Sequence, residues 1–458
     1  MKKRIKNLGG EKRKKMKTKN KIIVLLEIAI VLCSVFLVAL PAIAAEQTMQ
    51  KASATASTIT TASEDDYVLG VYGNANEDDT IDMRDLTYVK LIFFGKKPET
   101  ELSDAKYDGK INPLDFIQIK LIIVGKEKEL TVVDTADRIV TVKKPIKRVV
   151  SYTFGFLATM RSLKLEKDKI VGVEGWSIRN KIFYPEFSKL PNVGTLSPFV
   201  FNCEKVLELQ PDIVVLRGIV FSSECEEIQN KLKDANPNIV VLRFECCLPA
   251  IYIEEVRKLG YIFDKEEEAD EFLEFYSGVR NTINERVEGI PGDERPKVYL
   301  EHTNPYQAHF GKSVYSERLE GAGGKNIFSD VSANIGNVDP EKVITCNPGI
   351  IVKVSWPTGG YDTDDITLLS SIRDEIMNRP ELANVIAVKN ERVYVFNRYV
   401  ASGATSFVGG AYMAKWCYPE LFKDLDPKAT HQRYLTEFQG LDYDLDKHGV
   451  FVYPPFED

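Results

Sequence analysis

Histidine is scarce in this chain. There are four in 458 residues, none at the His-x-His or His-x-x-x-His spacing of a built-in zinc site. Cysteine is little commoner. Cys33 lies inside an apolar run without the small-residue context of a lipidation site just before it. The other six, Cys203, Cys225, Cys246, Cys247, Cys346 and Cys417, follow no zinc pattern, and the adjacent pair Cys246-Cys247 cannot readily close a tetrahedral site. Disulfides stay open to them, as does the plainer state of buried thiols. No Gly-x-Ser-x-Gly elbow occurs. The cluster Gly321-Ala322-Gly323-Gly324 lacks the frame of a phosphate loop, so a helix end or tight turn is expected there. Basic excess is confined to residues 1–21, which hold eleven Lys/Arg against Glu11, a local +10 that leaves −17 of the net −7 for the rest. So acidic a remainder excludes nucleic acid as a partner on electrostatic grounds.

A long apolar run occurs once, from Ile22 to Ala45, behind that basic start. At about 1.5 Å per residue it is long enough to cross a hydrocarbon core of about 30 Å. Its end, Pro41-Ala42-Ile43-Ala44-Ala45, also offers an A-x-A cleavage site. Residues 1–45 are therefore read as a signal sequence or an N-terminal membrane anchor, with the positive flank cytoplasmic. The chain beyond Ala45 is expected to be extracytoplasmic at the cell surface, membrane-tethered or secreted. Residues 46–64, rich in Ser, Thr and Ala, read as a flexible linker.

Next comes a 30-residue repeat. Asn74, Asn76, Asp78, Asp82 and Asp85 occupy positions 1, 3, 5, 9 and 12 of a twelve-residue loop, and Thr80 offers its carbonyl at position 7, which is calcium-loop spacing. The helix after it, Leu86 to Phe94, stops at Gly95. The second loop repeats the frame with Asp104, Asp108, Lys110 (by its carbonyl), Asn112 and Asp115, followed by a helix from Phe116 to Val124 that stops at Gly125. Lys106, at position 3 of that loop, has no oxygen to give, so calcium is expected foremost in the first loop. Paired loops of this kind, each followed by one helix ending in glycine, resemble a dockerin domain over residues 65–127. The resemblance implies calcium as cofactor and a cohesin-type protein as partner.

The rest of the chain states one unit twice. Asn202-Cys203-Glu204-Lys205-Val206, then Pro211 and the apolar run Ile213–Leu216, match Asp339-Pro340-Glu341-Lys342-Val343, then Pro348 and Ile350–Val352. Each copy predicts an N-capped helix, a proline stop and a fully buried parallel strand. The repetition argues two similar lobes, at 130–263 and 290–458, with a cleft between them. A third pattern separates the lobes. Ala269, Phe272, Leu273, Tyr276, Val279, Ile283 and Val287 fall on one helical face across residues 264–289, which predicts a helix of over 30 Å at about 1.5 Å per residue, long enough to bridge the lobes. In lobe one, Leu130–Val133 and Ile139–Val142 read as an edge strand; a C-terminal helix is expected from about Gly410 to Leu421.

The ordered series Arg148-Val-Val-Ser, Val171-Gly-Val, Leu190-Pro-Asn-Val-Gly, Glu204 with Pro211-Asp212, the long helix, Gly323-Gly-Lys-Asn-Ile-Phe and Asp339-Pro-Glu-Lys-Val carries a second resemblance. It is similar to the substrate-binding proteins of ABC importers for ferric siderophores, haem and cobalamin, over about Val132–Leu441. The fold class implied is α/β, two Rossmann-like lobes joined by one long helix, with the small all-α dockerin-like domain in front. The function implied is delivery of an iron complex, or a related metal chelate, to an ABC permease dimer, without catalysis.

Independently of family, ligands of such folds meet loops at the carboxyl ends of strands. Those loops hold Tyr152, Phe154, Trp176, Arg179, Tyr184 and Arg217 in lobe one, and His302, Tyr306, His309, Trp356, Tyr361, Arg398 and Tyr399 in lobe two. Aromatic faces with a few guanidinium groups suit a bulky, partly anionic chelate. Glu204 and Glu341, the acids shared by the two copies, would by the resemblance enter arginine pockets on the permease; helix-end electrostatics accounts for them equally well. Two other readings stay open: a dockerin-bearing carbohydrate-active enzyme, which would need paired carboxylates in a cleft, and a structural surface protein.

Overall fold

A computed structural model describes residues 67–456 apart from Ser402, and gives Phe154 and Ala401 by their backbone alone. The expected anchor and linker lie outside the described residues, as do the first two residues of the dockerin-like segment. No helix among the described residues is long and apolar enough to cross a membrane.

The first lobe is a sheet of four parallel strands in the order β4-β3-β7-β8, where β3 is Val149–Ser151, β4 Ile170–Val173, β7 Ile213–Leu216 and β8 Val240–Arg243. Every residue of β3 and β7 is buried, as unbroken β-branched runs require when helices cover both faces of a parallel sheet. The chain from Leu130 to Val142 does not join that sheet as an edge strand. β1 (Glu129–Val133) and β2 (Ile139–Lys143) pair with each other in a separate hairpin. A second hairpin, β5 (Gly194–Leu196) with β6 (Phe199–Phe201), projects beside the sheet. Only glycine fits at 194: its φ is +139°, and a Cβ there would lie 2.0 Å from the Val200 carbonyl oxygen.

The second lobe is a mixed sheet, β12-β10-β9-β13-β14-β15, with β11 (Lys325–Asn326) also on β9. β9 (Lys297–Glu301), β13 (Ile350–Ser355) and β14 (Val393–Asn397) are its parallel centre. β10 (Gln307–His309), β12 (Ile335–Asn337) and β15 (Val452–Tyr453) run antiparallel at the two sides.

The duplicated unit repeats residue for residue. Helix Cys203–Leu209 is capped by Asn202, whose side chain accepts from the Lys205 N–H, and stops at Gln210 in the left-handed region (φ +46°). Helix Pro340–Cys346 is capped by Asp339, which accepts from the Glu341 N–H, and stops at Asn347 with the same φ of +46°. Each left-handed cap thus lies one residue before its proline, and the strand follows at the same offset. Helix Glu266–Val287 carries its apolar stripe inward, burying Ala269, Phe272, Leu273, Tyr276, Ile283 and Val287, and connects the lobes. The C-terminal helix runs Ser406–Cys417, four residues earlier than its sequence pattern predicts, because Ser406, Phe407 and Val408 are themselves buried. Gly323 (φ +78°) does end a helix, Val314–Gly321.

The module in front is two helices, Met83–Phe93 and Pro113–Ile123, each preceded by one of the repeated loops. It is fastened to the first lobe. Val71 bridges Val132 of β1, the Tyr72 N–H donates to Thr131 O and the Val133 N–H donates to Gly70 O. The Ile81 N–H donates to the Tyr261 hydroxyl (2.8 Å), and Asp79 lies 3.7 Å from Arg257. Leu69, Val71, Ile81 and Val89 share one continuous apolar core with Leu130, Val132 and Val149. All six described cysteines are free thiols, four of them buried.

Candidate functional site

The carboxyl ends of both parallel sheets open into a cleft between the lobes. Its larger chamber has a volume of about 580 Å³. From the first lobe come Trp176 and Arg179, presented by a short helix, Gly175–Arg179, that buried Glu174 caps by accepting the Trp176 and Ser177 N–H groups. Burial raises the Glu174 carboxyl above its ordinary value, and those donors counter the shift. From the second lobe come Trp356 after β13, and Arg398 and Tyr399 after β14. The aromatic faces meet across the gap: Trp176 stands 6.5 Å from Trp356 and 5.9 Å from Tyr399, centroid to centroid. The Arg398 guanidinium lies 5.4 Å over the Trp356 ring. Tyr184 and Tyr361 form the inner wall, and the Tyr361 hydroxyl is 2.9 Å from Nε2 of buried His431. Arg179 is exposed, and its guanidinium makes no ion pair or hydrogen bond among the described residues.

A second chamber of about 550 Å³ continues the first, sharing Arg217, Val220, Trp356 and Arg398 as walls. His302 and His309 line it, with ring centroids 4.9 Å apart. His309 is 1 % exposed, and burial pushes its pKa down to about 3, so the ring is neutral. Among the described residues no Asp or Glu lines either chamber, while Arg179, Arg217, Lys312, Arg318 and Arg398 all reach the walls.

The thirteen residues expected at the ligand therefore divide. Trp176, Arg179, Tyr184, Arg217, His302, His309, Trp356, Tyr361, Arg398 and Tyr399 line one or both chambers; Tyr152 and Tyr306 do not. Tyr152 is wholly buried, its hydroxyl 2.6 and 2.7 Å from the carbonyl oxygens of Thr195 and Val200, so it pins the β5–β6 hairpin. Tyr306 turns away at φ +54°, donates its hydroxyl to Glu381 and stacks under Arg379. Of Phe154 only the backbone is described. Arg217 is at the cleft but already engaged, Nε 2.7 Å from Oε1 of buried Glu245. Sequence reasoning passed over Phe183, Phe221, Lys312, Tyr315, Arg318 and Tyr434 at the walls. Tyr434, in the C-terminal part of the chain and far from any strand end, carried no signal at all.

Glu204 and Glu341 are both exposed in the first turns of the two duplicated helices. In the front module, the buried Asp85 carboxylate accepts from the Asn76 and Asp82 N–H groups, and burial raises it to about 6. Asp115 repeats this with Lys106 and Asn112. Oδ1 of Asn74 is buried and has no hydrogen-bond partner. Asp78 and Asp82 each lie 2.9 Å from the Arg84 guanidinium. Among the described residues no three His, Cys, Asp or Glu converge as a metal site. The first loop's oxygens still suit a hard cation, which would have to displace Arg84.

The sequence profile of the periplasmic binding protein family matches residues 149–399, more than half of the chain. The chain belongs to that family. Among relatives of this binding protein is an uncharacterized ABC transporter substrate-binding lipoprotein, YvrC of Bacillus subtilis, 26 % identical over 299 residues, which cover 64 % of this chain and 87 % of the relative. The molybdate-binding protein MolA of Haemophilus influenzae is 23 % identical over 345 residues, 69 % of this chain and 92 % of the relative. Among solved structures, the TroA-like periplasmic binding protein FepB of Veillonella parvula superposes with a TM-score of 0.60 at 26 % identity, covering 70 % of this binding protein and 98 % of that chain.

Proposed function

We propose that this binding protein is the extracytoplasmic substrate-binding component of an ABC importer, and that its cargo is a bulky anionic iron complex or related metal chelate. The observation that carries this is the lining of the cleft, where aromatic faces from both lobes and several cations stand without a single carboxylate. Rings cover organic surface, and guanidinium groups pair with anionic oxygens. Description of YvrC as an ABC transporter substrate-binding lipoprotein supports the transport role. MolA is described as binding molybdate, a small oxyanion. A chamber of about 580 Å³ walled by two tryptophans and four tyrosines is far larger than that ion needs. The same lining opposes the carbohydrate-active enzyme, whose paired carboxylates have no counterpart on these walls.

In this reading Glu204 and Glu341 are the permease contacts, one per lobe, matched to a dimeric permease by the chain's own pseudo-symmetry. For the front module we propose calcium in the first loop and a cohesin-type partner. The duplicated loops support this, with Glu77 and Tyr107 at equivalent positive φ (57° and 52°). The test is a titration of the protein from residue 67 onward with ferric siderophores, haem, cobalamin and molybdate, read by tryptophan fluorescence. Micromolar or tighter binding of a metal chelate is expected. Binding of molybdate alone, or of none of the four, overturns the assignment.

A further inference from the structure

The two chambers differ in chemistry, and the difference speaks to the shape of the cargo. The first is a box of rings: Trp176, Tyr184, Trp356, Tyr361 and Tyr399. The second is polar at its base, where His309 and Lys312 stand beside the head of helix Val314–Gly321. Lys312 is exposed and makes no ion pair among the described residues. The Ser313 hydroxyl caps the helix by accepting the Tyr315 N–H at 3.2 Å, and it lies 2.8 Å from Nδ1 of His309. The cap takes one of the hydroxyl's two lone pairs and leaves its hydrogen available to Nδ1; where the hydroxyl donates there, the neutral ring's single hydrogen sits on Nε2. That Nε2 is buried and has no partner, a cost that a protein tolerates where something else supplies the acceptor.

We propose that the cleft binds a two-part cargo, with a flat aromatic body in the first chamber and an anionic arm, carboxylate or phenolate, received in the second by His309 and Lys312. This rests on the chelate reading above. Trp356 and Arg398, walls of both chambers, mark the passage between body and arm.

The probe is the ferric complex of a linear bis-catecholamide of lysine, used as the free carboxylate and as its carboxamide, so that the body is the same and the arm differs only in charge. Wild type is expected to prefer the carboxylate by about tenfold or more, the size of one hydrogen bond to a charged group. Lys312→Ala and His309→Phe, which keeps a ring on Tyr315, should shrink that preference to about threefold or less while carboxamide affinity holds. Ile335→Trp, at the exposed rim of the second chamber, should do the same by filling it, and checks the result if His309→Phe folds poorly. Trp176→Ala should weaken both forms alike. Equal binding of the two forms by wild type, or equal loss of both in the second-chamber variants, overturns the two-part cargo and leaves the chelate reading standing. Binding of neither form overturns the two-part cargo, and the chelate reading falls with it only if the siderophore, haem and cobalamin titrations also fail.

Discussion

Arg217→Ala separates a structural arginine from a ligand-binding one. Sequence reasoning placed Arg217 and Arg398 in the same role, but their surroundings differ. Glu245 is 0 % exposed, and its carboxylate takes Arg217 Nε at 2.7 Å together with the backbone N–H groups of Ile219 (2.9 Å) and Val220 (3.2 Å). Removing the guanidinium leaves a buried charge held by two backbone donors. The cost of breaking such a pair from one side is about 3–5 kcal/mol, most of it the uncompensated charge. At about 2–4 °C per kcal/mol for a unit of lobe size, the melting temperature should fall by about 6–20 °C. Glu245→Gln added to Arg217→Ala should recover part of that loss, since the amide is cheaper to bury than the carboxylate. Arg398→Ala, at an exposed position over the Trp356 ring, should change stability by about 1 kcal/mol or less. It should instead weaken chelate binding by about 1.5–3 kcal/mol. Differential scanning fluorimetry gives the first quantity and fluorescence titration the second. If Arg217→Ala melts like wild type and loses chelate affinity as Arg398→Ala does, the Glu245 pairing is not what holds this side chain.

Three further outcomes are expected. Glu204→Ala with Glu341→Ala should leave chelate affinity and melting unchanged and abolish uptake in vesicles carrying the cognate permease; normal uptake would return both glutamates to helix-end electrostatics. Glu255 is buried and its carboxyl is raised to about 7, chiefly by desolvation. Its folded form holds the proton more tightly than the unfolded chain, so its stabilising contribution is complete below about pH 4.5 and is lost as pH rises through about 7. Melting of wild type relative to Glu255→Gln should therefore worsen steadily from pH 5 to pH 7.5, and a pH-independent difference would contradict the desolvation of this carboxyl. Calorimetry with calcium on the chain from residue 67 should show one dominant site, abolished by Asp85→Ala and weakened by Asp78→Ala; two equal sites or no heat would remove the metal from the first loop.

How much of this was legible depends on whether a signal is local. Although the second strand runs on to Ser355, three residues past the apolar run, the duplicated helix–strand unit was legible in its caps, prolines and strand starts, signals that act within a dozen positions. The same holds for helix Glu266–Val287, whose period is its own. Trp176, Trp356, Arg398 and Tyr399 were legible because strand ends point them at the cleft. Tyr152 and Tyr306 obey the same strand-end rule and still face elsewhere. One satisfies the carbonyls of a hairpin some forty residues on. The other is turned by a left-handed backbone toward Glu381. Glu245 as the partner of Arg217, and Tyr434 as a wall of the cavity, come from chain segments that only tertiary packing brings near. The pattern at Ile139–Val142 reads as strand correctly, but its alternation does not say which strand it pairs with.

The seam between the front module and the first lobe decides where a mechanical load would enter. A pull arriving from the N-terminal side of Tyr67 meets the Val71–Val132 bridge and the bonds of Tyr72 and Val133 first, and the Ile81–Tyr261 contact behind them. These lie across β1 and helix Pro249–Phe263, outside the four-stranded sheet that carries Trp176 and Arg217. A load entering there would be taken up by contacts of β1 and helix Pro249–Phe263 before it reached the strands that carry Trp176 and Arg217.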